Sequence, residues 1–548
     1  MEADSRTGTN SSNLGQLDLI FLVGFHRSLT SAVAKLLQCS GVDMAAYLMP
    51  AATSNPDGHF EDMQIVDLHE RLLRLIGKDW RLSSQSSSLK PEWSRYLVRY
   101  IDYREKVSNQ KWGAKDPRIC LFLTEWQTAA GSNGRYVVLL RHWSGSIQSF
   151  YRRHSESISI AEVPNEVDGS FWFSPMLAAD MWLTYNRSIL EFLQSCPKHQ
   201  RLIVTQQAVL SGLNLPALVN DAFDLDFDES VPSPIKQSLV HDKIEQSVRD
   251  RLPDSKVKEM EALWEALLGF ADQRAKNESP HWVPSGELKG DEISVYHELL
   301  SAAENAEPIA EPGPAPEKLE ELLDYARINP LQRLSVDDLR QRVEVEATYN
   351  PEMWEKLATA LKARGHADKA EKALIQVLLA GKSQPYIYML LGTCREAEFD
   401  FEGAENFYKI ALSRNPANPV FHVRMAYLYL VLARYEEAEA VLRKGIEDGN
   451  IKPLMFHALA TVLDQQGKTE EALDLLEVQP ERPELLEKQR MTLLMKIDYP
   501  AGKKLYQEWA RQRAQSPKVR AQVVRALATV TDPAARNDLA HRIVLAWQ

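Results

Sequence analysis

Cysteine is scarce: four occur in 548 residues, at Cys39, Cys120, Cys196 and Cys394, and no pair shares the short spacing of a zinc or redox motif. Reduced thiols behaving as small buried hydrophobes are expected, with no disulfide framework. Histidines are scattered without the i, i+4 spacing of metal ligands, so no metal is expected. Long apolar runs are missing as well, and residues 17–25 fall short of the ~20 apolar residues that cross a bilayer. The first 15 residues are polar and hold no basic segment followed by an apolar one, which predicts a cytoplasmic chain without a transmembrane segment. There is no excess of positive charge: 64 Lys and Arg against 76 Asp and Glu leave a net charge of −12. That balance excludes a general nucleic-acid or anionic-membrane binder, and an anionic ligand would need a local basic pocket. The length suits two or three domains, because single cores stop growing near ~250 to 300 residues.

What is present begins with the stretch Leu19 to Ser31, LIFLVGFHRSLTS. An apolar run, Leu19–Val23, breaks at Gly24 and passes a polar loop holding Arg27, Ser28, Thr30 and Ser31. It then enters an Ala/Leu-rich segment with helical spacing. A helix start offers unpaired N–H groups and the positive end of its dipole, and Arg27 and the hydroxyls add charge-assisted donors. The stretch is built to cradle an oxyanion. A second apolar strand is expected at residues 135–142, ending at Arg141, and a third at Arg201–Thr205. Helices are expected at 60–76 and at Pro91–Val107, and helical segments from 215 to 274. Residues 111–118 read as a turn-rich basic patch. Strands alternating with helices are α/β grammar, in which ligands gather at the carboxyl ends of the strands.

The Arg-Ser-x-Thr-Ser loop resembles the 5′-phosphosulfate loop of sulfotransferases, with Leu29 where that family usually has glycine. Arg141 followed eight positions on by Ser149 is similar to the family's element for the 3′-phosphate of the donor. Lys115-Asp116-Pro117-Arg118 resembles the Lys-Asp-Pro stretch of many bacterial members. The resemblance covers roughly residues 17–210 and implies an α/β sulfotransferase-like, P-loop-type parallel sheet flanked by helices. The implied donor is 3′-phosphoadenosine 5′-phosphosulfate (PAPS), held by His26, Arg27, Ser28, Leu29, Thr30, Ser31, Arg141 and Ser149, with no metal. By the same resemblance Lys115, with Arg27, would neutralise charge on the departing bridge oxygen. A base must accept the acceptor's proton, and Asn55-Pro-Asp-Gly-His-Phe-Glu-Asp62 lies where related enzymes carry a Glu or His, which makes Glu61 the candidate, with His59 next. Asp57 and Asp62 read as turn and helix-start residues, and Asp116 with Arg118 as a local ion pair. The expected acceptor is a hydroxyl, of a glycan or lipid-linked sugar. A P-loop nucleotide kinase would share the cradle, but it needs the absent Gly-Lys-Ser/Thr ending and a magnesium carboxylate. A repeat scaffold with a degenerate catalytic part is the other alternative, with Leu29 as its support.

The acidic, proline-rich residues 304–316 have linker composition. Beyond them the chain repeats: proline stands at 351, 385, 419 and 453 and alanine at 370, 404, 438 and 472, each series stepping by 34 residues. Gly365 and Gly467 mark turns between paired helices. This looks like a tetratricopeptide (TPR) array, an all-α solenoid in which each helix pair buries its apolar face against its neighbours. The register places Tyr386, Met389, Val423, Tyr427 and Leu430 on a concave groove expected to bind a protein partner, or to be filled by the catalytic domain or linker helices. The resulting division is a flexible start (1–16), a sulfotransferase-like domain (17–276), a linker (277–316), a helical lead-in (317–350), four repeats (351–484) and a degenerate repeat or cap (485–548).

Overall fold

The computed structural model describes residues 19–82, 89–108, 111–162, 166–235, 243–307 and 351–547. The flexible start, most of the acidic linker and the helical lead-in lie outside the described residues.

Four short strands form a parallel sheet in the order β2-β1-β3-β4, with β1 Leu19–Val23, β2 Trp112–Lys115, β3 Gly134–Leu140 and β4 Arg201–Thr205. Leu19 pairs with both Trp112 and Gly134, so β1 is central and its five residues are buried on both faces. Side chains alternate between two cores. Phe21, Val23, Tyr136, Val138 and Ile203 face one side, and Ile20, Leu22, Val137, Leu139 and Leu202 face the other. The expectation of a turn at 111–118 is corrected: Trp112–Lys115 is an edge strand. Gly113 hides it, for a Cβ there would lie 2.9 Å from Met44 Sδ and from Val42 Cγ1, so the crowding demands the residue that least resembles a strand former.

Around the sheet lie α1 Thr30–Cys39, α2 Met63–Leu75, α3 Pro91–Val107, α4 Leu123–Ala130, α5 Trp143–Ile160, α6 Glu166–Phe173, α7 Leu177–Ser195, α8 Gln206–Leu210 and α9 Leu215–Phe223. Helical segments do occur in the region expected over 215–274, but a strand comes between them. Residues 224–235 are irregular, and further on come strand β5 Lys243–Glu245 and the helices α10 Gln246–Asp250 and α11 Asp254–Leu268. Strand β6 His281–Val283, inside the expected linker, pairs with β5, and α12 Asp291–Glu304 buries Leu299 and Ala303. Cys39 is exposed, contrary to expectation, because it ends α1; the other three cysteines are buried.

The second half is six helix pairs. The first four are α13 Pro351–Ala363 with α14 Ala367–Leu379, α15 Pro385–Ala397 with α16 Phe401–Arg414, α17 Pro419–Val431 with α18 Tyr435–Glu447, and α19 Pro453–Gln465 with α20 Thr469–Glu477. Proline opens the first helix of each pair, where its missing N–H has no bond to lose. Ala370, Ala404, Ala438 and Ala472 are fully buried where paired helices touch. The turn is left-handed in each of these four pairs: Gly365 and Gly467 are joined by Phe399 (φ 61°) and Ala433 (φ 56°) at the same step. Two further pairs, α21 Glu484–Ile497 with α22 Tyr499–Ala514 and α23 Pro517–Thr529 with α24 Pro533–Ala546, start off the 34-residue step.

The groove is not open along its length. Met389, Val423 and Leu430 are buried, while Tyr386 and Tyr427 look onto a cavity of about 700 Å³ whose far wall is α2, with Met63, Asp67, Arg71 and Arg74. Helix α2 is held there by Arg71, itself buried. Its Nε donates to Gly365 O at 2.8 Å and its Nη2 to Glu398 Oε1 at 2.5 Å and Tyr96 Oη at 2.9 Å. Arg99 also donates to Glu398, and Tyr103 Oη to Val431 O at 2.7 Å. The array's other end returns to α5: Trp547 Nε1 donates to Ser159 O at 2.8 Å, and Arg513 to Ile160 O at 3.1 Å and Glu162 at 2.6 Å. One apolar core runs from the sheet into the array. Among the described residues no helix is long and apolar enough to cross a membrane.

Candidate functional site

The loop after β1 turns back sharply at Gly24, where a Cβ would lie 2.9 Å from Leu139 O and from Thr30 Cγ2. Arg27 (φ 66°) and Leu29 (φ 72°) both adopt the left-handed conformation. Leu29 therefore takes the backbone shape that glycine would adopt freely, at a cost on the order of 1 kcal/mol for its Cβ. It is the N-cap of α1 and no side chain caps that end; Ala32 N turns to Leu29 O at 3.1 Å, and the amides of Thr30 and Ser31 are the ones placed for an anion. Ser28 and Thr30 are buried within the loop, and Ser31 stands at its far side.

The two basic corners of the sequence meet here. Arg27 Nε donates to Ser149 Oγ at 2.8 Å, and the Arg141 guanidinium donates to the carbonyl of Arg27. Arg141 lies flat over Gly145, where an added Cβ would fall 2.7 Å from its Nε. Arg152 and Arg153 stand one turn beyond Ser149 on α5 and add to the cluster. Burial, with the charges of Arg153, Arg152 and Arg141, pushes the Arg27 guanidinium down to about 9, and burial with Arg152 pushes Arg141 down to about 10. Arg152 is shifted down by burial too, and Glu156 offsets part of the charge. Sequence reasoning missed Arg152 and Arg153. The available signal was their spacing, three and four residues after Ser149 on one helix.

On the other flank, Lys115 ends β2 beside the loop. Its Nζ donates to Glu61 Oε1 at 2.5 Å, His59 O at 3.1 Å and Ser31 Oγ at 3.3 Å. Lys115 and Glu61 are 3% and 6% exposed, so both charges depend on each other. The His59 imidazole is pushed down to about 3 by burial, Lys115, Arg153 and Arg27, which keeps it neutral. His26 makes no direct bond to the cations, although Arg118, Lys115 and Arg153 are close enough to add to the effect of burial on its ring. Its ring lies in an aromatic box of Phe25, Trp80, Phe150 and Tyr185, with Nε2 3.4 Å from Tyr185 Oη, and burial holds it well below the usual imidazole range.

Neighbouring acids shape the site. Asp62 caps α2 by accepting from Gln64 N at 2.9 Å, and Asp57 pairs with Lys35 at 3.1 Å. Asp116 accepts from Arg118 Nε at 3.0 Å and lies 2.8 Å from His69 Nδ1, whose Nε2 accepts from Trp126 Nε1 at 2.9 Å. Among the described residues no three His, Cys, Asp or Glu side chains gather as a metal site.

Residues 396–450 match the tetratricopeptide repeat family. Among curated proteins, the chain is similar over 68 residues, at 32% identity, to Protein O-mannosyl-transferase F38B6.6 of Caenorhabditis elegans. That match takes in 12% of this chain and spans a tenth of the relative's length. Of solved structures, a tetratricopeptide repeat protein from Parabacteroides merdae is 16% identical, covering 42% of this chain and 98% of that one, with a TM-score of 0.26. The sulfotransferase domain from the curacin biosynthetic pathway is also 16% identical, covering 46% and 98%, with a TM-score of 0.27. The family match and the six helix pairs together establish that the chain contains a tetratricopeptide repeat array.

Proposed function

We propose that the chain is a cytoplasmic PAPS-dependent sulfotransferase, acting on the hydroxyl of a glycan or lipid-linked sugar, with the P-loop-type fold expected of such enzymes. One observation carries the reading: a single loop is flanked on one side by Arg27, Arg141 and Ser149 and on the other by Ser31, Lys115 and Glu61 in mutual contact. The donor set fits a polyanionic nucleotide, since four buried or half-buried guanidiniums repel one another and an anion would relieve that repulsion. Arg27, Ser31 and the α1 amides would hold the phosphosulfate end, and Arg141 with Ser149 the 3′-phosphate. PAPS would supply the sulfuryl group and leave as adenosine 3′,5′-bisphosphate.

Glu61 is the base in this reading. Its Oε1 lies 2.5 Å from Lys115 Nζ at the edge of the cradle, whereas the His59 imidazole, pushed down to about 3, is a feeble proton acceptor. Lys115 touches both the cradle and the base, so its charge lies where negative charge would build on the leaving oxygen. The test is a calorimetric titration of the full chain. Adenosine 3′,5′-bisphosphate should bind with a Kd on the order of 1 μM, about −8 kcal/mol, and ATP with Mg²⁺ far more weakly. Absence of binding by the bisphosphate at millimolar concentration, or preference for ATP, would overturn the reading.

A Gly145→Ala substitution should separate affinity from folding. The three atoms nearest the methyl all belong to the flexible Arg141 guanidinium, and alanine suits a helix better than glycine, so stability should move by no more than about 1 kcal/mol. Displacing the guanidinium should weaken bisphosphate binding about tenfold. Chemical denaturation and the same titration read the two effects.

A further inference from the structure

The segment before the Asn55-to-Asp62 loop pairs with the residues that carry Glu61. Met49 N donates to Glu61 O at 2.7 Å and Met63 N to Tyr47 O at 3.0 Å, so Leu48 and Asp62 face each other as in an antiparallel bridge. The outer edge of that pairing is met by the repeat array. Leu48 N donates to Gln465 Oε1 and Gln465 Nε2 donates to Leu48 O, both at 3.2 Å, so one side-chain amide imitates the next strand. Tyr435 Oη donates to Ala46 O at 2.7 Å, and the Tyr427 ring lies 5.7 Å from that of Tyr47. Gln465 ends α19 and Tyr435 begins α18, so two consecutive repeats grip one strip of four residues.

We propose that the repeat array positions the catalytic carboxylate: Gln465 and Tyr435 act as positioning residues for Glu61 through the Ala46-to-Met49 strip. The inference rests on Glu61 being the base of the proposed sulfotransferase, and it makes the array part of the catalytic apparatus in addition to any partner it binds. Without the amide of Gln465 the strip loses both outward bonds of Leu48, and the backbone that fixes Glu61 against Lys115 loosens. A base displaced by ~1 Å costs up to about 100-fold in rate. The donor site is untouched, since Arg27, Arg141 and Ser149 hang from other elements.

The experiment compares Gln465→Ala and Tyr435→Phe with the wild-type full chain, and with Arg513→Ala, which loosens the array at its opposite attachment. Three quantities are measured: the bisphosphate Kd by calorimetry, bisphosphate release from PAPS with water as acceptor, and hydrogen exchange at the Met49 amide. Both strip variants should keep Kd and the KM for PAPS within twofold, lower kcat 10- to 100-fold, and speed Met49 exchange at least tenfold. Arg513→Ala should change none of these. An active wild type whose strip variants keep kcat, or a kcat loss shared by Arg513→Ala, overturns the positioning role. A wild type that neither binds the bisphosphate nor consumes PAPS overturns the functional reading instead, and unchanged Met49 exchange sinks the mechanical coupling whatever the activity.

Discussion

Replacing Lys115 by methionine should lower the unfolding free energy by about 3 kcal/mol, because it strands the Glu61 carboxylate in a site from which water is excluded. Adding Glu61→Gln should recover most of that loss, since the second change removes the stranded charge and leaves a neutral side chain of the same length. Turnover should behave differently. Lys115→Met, Glu61→Gln and the double variant should all fall by about 10²- to 10³-fold, because each lacks either the cation beside the cradle or the proton acceptor. Denaturant titration and PAPS consumption by the four proteins measure both halves. A pair that is only structural would show recovery of activity in the double variant along with stability.

Arg141→Ala should weaken adenosine 3′,5′-bisphosphate binding by about 100-fold, ~3 kcal/mol, the upper end for removal of a hydrogen bond to a charged group. The ligand-free protein should not become less stable. Burial and Arg152 disfavour the protonated guanidinium of Arg141 in the fold, and a base whose folded pKa is depressed carries a cost at every pH below that pKa. Neutral pH lies well below about 10, so removing the group removes the cost. The thermal midpoint of the free variant should match or exceed that of wild type. In the presence of bisphosphate the order should invert, because only the wild type gains from binding. Calorimetry and melting curves with and without the nucleotide measure this.

The residues of the candidate site were legible where the chemistry is local. Arg27 stands in a loop between a strand and a helix, and Arg141 ends a strand, so each could be read as an anion ligand from its own neighbourhood. The contact between Lys115 and Glu61 spans 54 positions. Only the resemblance put both near one reaction, and the bond itself was not legible. Strand β2 was obscured because Trp-Gly-Ala-Lys answers to crowding by Met44 and Val42, which no local pattern records. Arg152 and Arg153 carry no signal of their own, since charge on a helix ordinarily marks only a solvated face.

The union of domain and array was the least legible feature. Helix α2 shows an apolar face in Ile65, Leu68 and Leu72, and it sends a buried arginine from the flank of that face into the groove. A sequence pattern treats Arg71 as exposed because the partner carbonyls, Gly365 O and Ala397 O, lie 294 and 326 positions away. The repeats announced themselves through identical spacing. What they embrace was written in single contacts.

Attachment at both ends has a consequence for how such a chain can change over generations. A free-standing stack of helix pairs can gain or shed a whole unit and still cap its ends. Here Glu398 is tied to α2 and Trp547 to α5, so the domain acts as a gauge of fixed width. Duplication or deletion of one unit would leave an end with nothing to grasp, and the number of pairs between the two anchors should be held constant even while their surfaces drift.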